Sequence, residues 1–339
     1  MARPSPASLI HRLALGTALI GVAAVIAIPV ALVVTHLTPA LSAGAVAAPA
    51  PRLATGVAHS TWFDLNLADG GPTFTTSSTP QLPAPPAISA AGGILVDIDT
   101  GRILWEHNPH LSLAPASTTK IMTALLTLEN LSPDTVITVT PDALNQAGDE
   151  TKVGLRAGEK LTVRELMYAM LMESANDAAT VLANDTVGHD RFVGAMNAQV
   201  AALGLHDSHF VTSVGLDDPG QRASAYDLAV LGTVVETRFP LMQQITSTTE
   251  TILPATATHR QYNLYNLNQL LQMFPGAVGI KPGYTGDAGP CEVGMAVRNG
   301  HHLVSVLLNA AYAFKQTSQL LDWGFRVDVT PTASATPTH

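Results

Sequence analysis

The sequence predicts an α+β domain in which N- and C-terminal segments share one antiparallel sheet, with a helical region packed between them in the chain. Three observations predict it. Two β-rich runs, residues 93–98 and 102–106, flank Asp99-Thr-Gly101. Helical periodicities cluster between residues 117 and 237. Strand-like runs then return at 278–281, 292–298 and 302–309, and strands at both ends of a domain with helices between them close into a common sheet.

The first 36 residues read as an export signal or an N-terminal membrane anchor. Residues 13–34 carry no charged side chain, Arg3 and Arg12 precede them, and no acid occurs before Asp64. A cleaved signal has an apolar core of about 7 to 15 residues, whereas about 20 suffice to span a bilayer, which favours the anchor. Small residues at Ala43, Ala45 and Ala47 keep cleavage open. Either way, the flanking arginines put the rest of the chain outside the cytoplasm. Residues 37–87, rich in Pro, Ala, Thr and Ser and culminating in Gln81-Leu-Pro-Ala-Pro-Pro86, read as an extended linker. Within it Trp62-Phe63-Asp64-Leu65 is less linker-like. The folded domain is expected over 88–326, and 327–339 as a flexible tail.

Inside the domain, each element has a local signal. Asp97-x-Asp99-x-Gly101 has the start of a calcium-loop spacing, but its twelfth position is Asn108, so a tight turn between two strands is expected. Residues 117–129 place Ile121, Met122, Leu125 and Leu128 on one helical face. Thr162-Val-Arg-Glu165 is a capping box for a helix ending near Glu173, and a further helix begins at Asp177. The helix at 190–203 is closed by Gly204, and that at 224–237 is opened by the box Ser224-Ala-Tyr-Asp227. Asn299-Gly300 joins the last two strands as a hairpin, and Leu320, Leu321, Trp323 and Phe325 mark a final helix.

Composition excludes several classes. At 339 residues with 47% hydrophobic side chains the chain can fill a substantial core. A formal charge of −9, only 17 basic residues and no basic run argue against nucleic acid as a partner. The single cysteine, Cys291, allows no intramolecular disulfide and is expected to be a small buried hydrophobe. His206-x-x-His209 lacks a third ligand at zinc-site spacing, so no metal is implied. Asp217 and Asp218, before Pro219-Gly220, read as loop-shaping residues.

The chemistry is carried by three short motifs. Ser117-Thr-Thr-Lys120 opens a helix, so the lysine amine comes round one turn to the side of the serine. A serine hydroxyl needs a nearby base, and an amine whose pKa is lowered from about 10.4 can serve. The chain has only five lysines, which makes a chance match rarer. Ser174-Ala-Asn176 follows in the break between two helices, and Lys281-Pro-Gly283-Tyr-Thr285 on a C-terminal strand.

In this order, Ser-x-x-Lys, Ser-x-Asn and Lys-x-Gly resemble the motifs of penicillin-binding proteins and serine β-lactamases. The surrounding residues Pro115–Ala124, Glu173–Asp177, Gly215–Asp218, Tyr226–Leu228, Asn266–Leu270 and Gly279–Thr285 resemble more narrowly the low-molecular-mass D-Ala-D-Ala carboxypeptidases, over residues 88–325. The resemblance implies a β-lactamase/transpeptidase-like fold and a peptidoglycan stem peptide ending in D-Ala-D-Ala as substrate, with β-lactams as covalent inhibitors. It implies Ser117 as nucleophile, Lys120 as base, Ser174 as proton relay and Asn176 as the group holding Lys120 and the substrate amide. Lys281 is the implied carboxylate site, and the N–H groups of Ser117 and Tyr284 the oxyanion hole. Gly283 keeps the strand face open, and no cofactor is needed.

One position departs from the pattern. Pro282 stands where the family has threonine or serine, removing a hydroxyl and a strand N–H, for which Thr285 is a partial substitute. The alternatives are a class A-like β-lactamase and a non-catalytic peptidoglycan-binding module of the same fold. The former needs a deacylating glutamate, and between Asn176 and Lys281 only Glu236 and Glu250 occur, neither opening a Glu-x-x-Leu-Asn pattern. Pro282 is the only argument for the latter.

Overall fold

The computed structural model describes residues 70–76, 82–148 and 151–328, all within one compact unit, Gly56–His339. The expected signal or anchor, the Trp62–Leu65 stretch and the tail beyond residue 328 lie outside the described residues. Among the described residues no helix is long and apolar enough to cross a membrane.

In chain order the elements are β1 (Ala90–Asp97), β2 (Arg102–His107), a 3-10 turn (Ala116–Thr119), α1 (Lys120–Asn130), β3 (Val136–Thr138), α2 (Pro141–Gln146), β4 (Lys160–Thr162), α3 (Val163–Met172), α4 (Asn176–Asn184), α5 (His189–Leu203), α6 (Ala225–Arg238) and α7 (Pro240–Thr246). They continue with β5 (Glu250–Leu253), β6 (Tyr262–Tyr265), α8 (Leu270–Met273), β7 (Ala277–Thr285), β8 (Gly289–Arg298), β9 (His301–Ala310) and α9 (Ala313–Asp328). The main sheet has the order β2-β1-β9-β8-β7 and is antiparallel throughout. First and last segments therefore pair directly, β1 against β9, as the strand pattern predicts.

Period-two alternation gives the sheet two apolar faces. Ile94, Val96, Val304, Val306 and Leu308 belong to the core shared with α1, α3, α4 and α6. Leu95, Leu303 and Leu307 belong to a second cluster with Leu270, Phe274, Leu320 and Trp323, under α8 and α9. Each fully buried leucine or valine contributes about 1.5–3 kcal/mol, so both faces must be covered. The sheet is consequently a sandwiched layer whose edge strand, β7, borders the helical body.

Local signals explain most of the boundaries. Asp97 accepts from the N–H groups of Asp99, at 2.9 Å, and Thr100, at 3.3 Å, so it shapes a turn between β1 and β2. Asn299 and Gly300, with φ of 53° and 82°, supply the two left-handed residues of a tight hairpin. The Thr162 box is reciprocal: Thr162 Oγ1 accepts from Glu165 N–H at 3.2 Å, and the Glu165 carboxylate accepts from Thr162 N–H at 2.7 Å.

The second box is a correction. Ser224 Oγ caps Asp227 N–H at 3.1 Å, but the Asp227 carboxylate does not return the bond. It accepts instead from Asp207 N–H at 2.9 Å and Ser208 Oγ at 2.7 Å, because an aspartate is one methylene shorter than the glutamate a capping box needs. A second correction concerns the first helix, since Ser117 lies in the 3-10 turn and α1 begins at Lys120. The pairs β3–β4 and β5–β6 and the short helices α2, α7 and α8 carry no periodicity long enough to read.

Candidate active site

The 3-10 turn holds Ser117 where the sheet edge meets the helical body. Its predecessor Ala116 takes a left-handed φ of 50°, an uncommon conformation for a side-chain-bearing residue that persists only where its surroundings impose it. Two close approaches impose it here. A Cβ on Gly215 would stand 1.9 Å from Ala116 O, and one on Gly283 would stand 3.0 Å from Ser117 N. Glycine at both positions lets β7 and the 214–215 segment press against the turn that carries the serine.

Lys120 has no solvent exposure. Its Nζ lies 3.0 Å from Ser117 Oγ, 2.7 Å from Asn176 Oδ1 and 2.7 Å from the Val214 carbonyl oxygen. Asn176 is brought there as the first residue of α4, and its N–H donates to Thr151 O at 2.8 Å. The neighbouring Asp177, also buried, accepts from the N–H groups of Gly154 and Leu155 at 2.8 and 2.9 Å and so ties down the loop that carries Thr151. Ser174, also buried, again has a left-handed φ, 58°.

The third motif lies on β7. Lys281 is fully buried and donates to Pro282 O at 3.1 Å. Burial brings its ammonium down to about 8, partly offset by Glu292 on β8. Glu292, opposite Pro282 in register, is also fully buried, and burial holds its carboxyl well above the ordinary carboxylate range. Cys291 beside it is a buried thiol pushed up to about 11 by burial, unsuited to nucleophilic use.

Ser117, Ser174, Lys281, Gly283 and Tyr284 line one cleft of about 430 Å³. A larger hollow of about 730 Å³, between residues 70–76 and the end of α5, contains none of the motif residues. Asn176 stands behind the cleft, touching Lys120. Thr285 is placed differently: it is buried, its Oγ1 accepts from Ala288 N–H at 3.2 Å, and it does not line the cleft. Sequence reasoning missed Thr151, Leu267, Tyr312 and Phe314, which line the cleft, and the Val214 carbonyl, which carries no side-chain signal at all. Asp217 and Asp218 serve the loops: Asp218 Oδ1 accepts from Gly220 N–H at 2.7 Å, and Asp217 Oδ2 from Asp287 N–H at 3.2 Å. His209 is engaged with Gly220 O at 2.9 Å, and among the described residues no cluster of His, Cys, Asp or Glu could hold a metal ion.

A five-stranded antiparallel sheet between a C-terminal helix and a helical body, with a serine turn at its edge, defines the β-lactamase/transpeptidase-like class. Solved structures agree. The chain aligns with the Streptomyces K15 DD-transpeptidase at a TM-score of 0.68 and 27% identity, covering 72% of this chain and 100% of the other. It aligns with a D-alanyl-D-alanine carboxypeptidase from Mycobacterium tuberculosis at a TM-score of 0.67 and 32% identity, covering 75% and 97%.

Within that class the chain belongs to the D-alanyl-D-alanine carboxypeptidases of peptidase family S11, whose model matches residues 79–312. It is 34% identical to the D-alanyl-D-alanine carboxypeptidase DacB2 of Mycobacterium tuberculosis over 243 residues, spanning 69% of this chain and 82% of that one. It is 32% identical to the DacF enzyme of Bacillus subtilis over 248 residues, and there it spans only 63% of the relative's length.

Proposed function

We propose that this chain is a serine D-Ala-D-Ala carboxypeptidase that removes the terminal D-alanine from peptidoglycan stem peptides, outside the cytoplasm, through an acyl-enzyme on Ser117. The observation that carries the residue assignments is the environment of Lys120 Nζ. Two of its neighbours, Asn176 Oδ1 and Val214 O, are acceptors with no proton to give. A neutral amine can direct N–H bonds at these two and its lone pair at Ser117 Oγ, 3.0 Å away. That is the geometry of a general base.

The steps follow from this arrangement. Ser117 Oγ attacks the carbonyl between the two D-alanines while its proton passes to Lys120. The developing oxyanion is received by the N–H groups of Ser117 and Tyr284, and Asn176 orients the substrate amide as well as Lys120. Lys281 binds the terminal carboxylate, and Gly283 leaves the strand face open to it. Ser174 relays a proton to the departing D-alanine nitrogen as the C–N bond breaks. Water then cleaves the Ser117 ester, releasing the shortened peptide. A β-lactam acylates the same oxygen, but its cleaved amide remains tethered to the acyl group, so the ester is long-lived.

Both alternatives lack support. Among the described residues lining the cleft there is no glutamate: Glu236 is buried on α6 beside Thr246, and Glu250 is exposed on β5. This disfavours a class A-like β-lactamase. Retention of the whole Lys120 constellation disfavours a non-catalytic binding module. We assign residues 1–36 as the signal or membrane anchor and 88–326 as the body of the catalytic domain; the linker expected over 37–87 and the tail expected over 327–339 are shorter at their domain ends, because Phe74 is buried in the core, Thr75 bridges Arg102, Trp323 Nε1 donates to Pro83 O, and Val327 is buried on α9.

The test uses fluorescent penicillin and intact-mass measurement on the wild type and Ser117→Ala. A slowly clearing adduct confined to the wild type, with D-alanine released from a D-Ala-D-Ala peptide, is expected. Rapid penicillin turnover without accumulation shifts the reading to a β-lactamase. No reaction from folded protein shifts it to a binding module.

A further inference from the structure

The loop that carries Thr151 into the cleft wall is held by two side chains of opposite charge. Asp177, the second residue of α4, accepts from the N–H groups of Val153, Gly154 and Leu155 at 3.3, 2.8 and 2.9 Å. Arg260, in the connection between β5 and β6, takes the carbonyls: its Nη2 donates to Gly154 O at 2.6 Å and to Val153 O at 3.3 Å. Backbone groups outside helices and strands still need partners, and here a carboxylate supplies the acceptor and a guanidinium the donors. Gly154 makes this approach possible. Its φ is 77°, and a Cβ on it would stand 3.1 Å from Arg260 Nη2.

Arg260 is exposed, so water is open to its guanidinium as an alternative partner. The surrounding groups direct it inward instead. Its N–H donates to Glu159 Oε1 at 3.3 Å, and its guanidinium lies 4.9 Å from the centre of the Tyr262 ring. Tyr262 is fixed in turn by donating its hydroxyl to Glu159 Oε2 at 2.5 Å. The same oxygen accepts from Arg156 N–H at 2.8 Å, just beyond the clamped stretch.

What the loop carries gives this clamp a bearing on the reaction. Thr151 lines the cleft, and its carbonyl accepts from Asn176 N–H at 2.8 Å. Asn176 opens α4, where an N–H has no partner within the helix. That bond therefore helps fix the residue whose Oδ1 stands 2.7 Å from Lys120 Nζ. A continuous line of bonded groups runs from Arg260, through the 151–154 backbone, to Asn176 and Lys120.

We infer that Arg260 is a positioning residue for acylation: it holds the 151–155 loop in place, and the loop holds Asn176 at the angle that directs Lys120 toward Ser117. The inference rests on the acyl-serine reading and extends it to a residue outside the cleft. Arg260 touches neither substrate nor reacting atoms, so its loss slows the chemical step and leaves reagent binding unchanged.

The test is benzylpenicillin acylation of Ser117, followed by intact mass over a range of concentrations so that the saturating rate and the half-saturating concentration are obtained separately. The proteins are the wild type, Arg260→Ala, Arg260→Lys and Gln261→Ala, the last an exposed neighbour whose side chain bonds only Asn263. Arg260→Ala should lower the saturating rate about tenfold, the scale of a small misplacement of a catalytic group, with the half-saturating concentration unchanged. Hydrogen exchange in Arg260→Ala should quicken at residues 153–155 and stay as in the wild type across the main sheet. Arg260→Lys recovers most of the rate, because an ammonium can reach the same carbonyls, and Gln261→Ala behaves as the wild type. An unchanged saturating rate in Arg260→Ala overturns the inference, as does a Lys variant no faster than the Ala variant. Exchange that quickens throughout the domain, with a matching fall in Tm, means a general structural role and also overturns it. Absence of any Ser117-dependent adduct in the folded wild type defeats the acyl-serine reading itself, and this inference with it.

Discussion

Two of the five lysines have no solvent exposure, and they are buried in opposite ways. Lys120 is enclosed by named oxygens, from Ser117, Asn176 and Val214, contributed by three separate parts of the chain. Lys281 donates to the carbonyl of the next residue, and burial pulls it down to about 8, partly offset by the buried Glu292. The difference matches the two tasks proposed for the two lysines. Directed acceptors fix where a lysine's protons and lone pair point, as a base requires. A sparsely bonded ammonium at the wall of a cleft keeps its attraction for an arriving carboxylate.

The sharpest way to break the comparison is Lys120→Arg, which keeps the charge but cannot give up its proton. We expect kcat for D-alanine release to fall by about 10³-fold or more, and a fall under tenfold in steady-state assays would remove Lys120 from the base role. Lys281→Met tests the other lysine. It should raise KM for a peptide with a free terminal carboxylate by about 10²-fold, as expected for a lost charge-assisted hydrogen bond, and leave the same peptide as a C-terminal amide nearly unchanged.

Lys281 also sets a pH limit. Below about 8 it holds its proton and attracts the carboxylate, and above that value it is neutral, so KM for the free acid should climb on the alkaline side. A KM that stays flat to pH 9.5 contradicts this.

A third buried ionisable group sharpens the contrast from the side of stability. Glu236 on α6, bonded by Thr246 Oγ1 at 3.0 Å, is raised by burial to about 8. Between its ordinary value and about 8 the folded chain holds a proton that the unfolded chain has released, so this group lowers stability as pH rises through that window. Glu236→Gln should be neutral at pH 4 and stabilising by about 2 kcal/mol or more at pH 9. Denaturant unfolding at the two pH values decides it, and equal differences at both would refute the assignment. The smallest effect is expected from Pro282→Thr, which restores a hydroxyl and an N–H beside Lys281. KM for the free-acid peptide should drop about fivefold, the worth of one net hydrogen bond; no change would mean that the hydroxyl finds no partner there.

Much of the molecule was legible wherever the signal was local. The Asn299-Gly300 turn, the Thr162 box and the two-faced strands each depend on residues within a few positions of one another, and short-range sterics and hydrogen bonding decide such features. Where the geometry of one side chain mattered, a local pattern misled: Asp227 was one methylene too short to close its box. The paired strands β3–β4 and β5–β6 were invisible because runs of three or four residues carry no resolvable period.

The same division holds at the site. The sequence by itself singled out the residues proposed to carry the chemistry, Ser117 with Lys120, Ser174 with Asn176, and Lys281 with Gly283, because each motif is a spacing of two or three residues. Only the tertiary structure decided that a backbone carbonyl at Val214 joins the Lys120 environment, that Thr285 does not line the cleft, and that Tyr312 does. These depend on segments far apart in the chain being pressed together, as glycines 215 and 283 permit around the serine turn. Close approach between distant backbones is a product of packing the whole core, and no local pattern of residues encodes it.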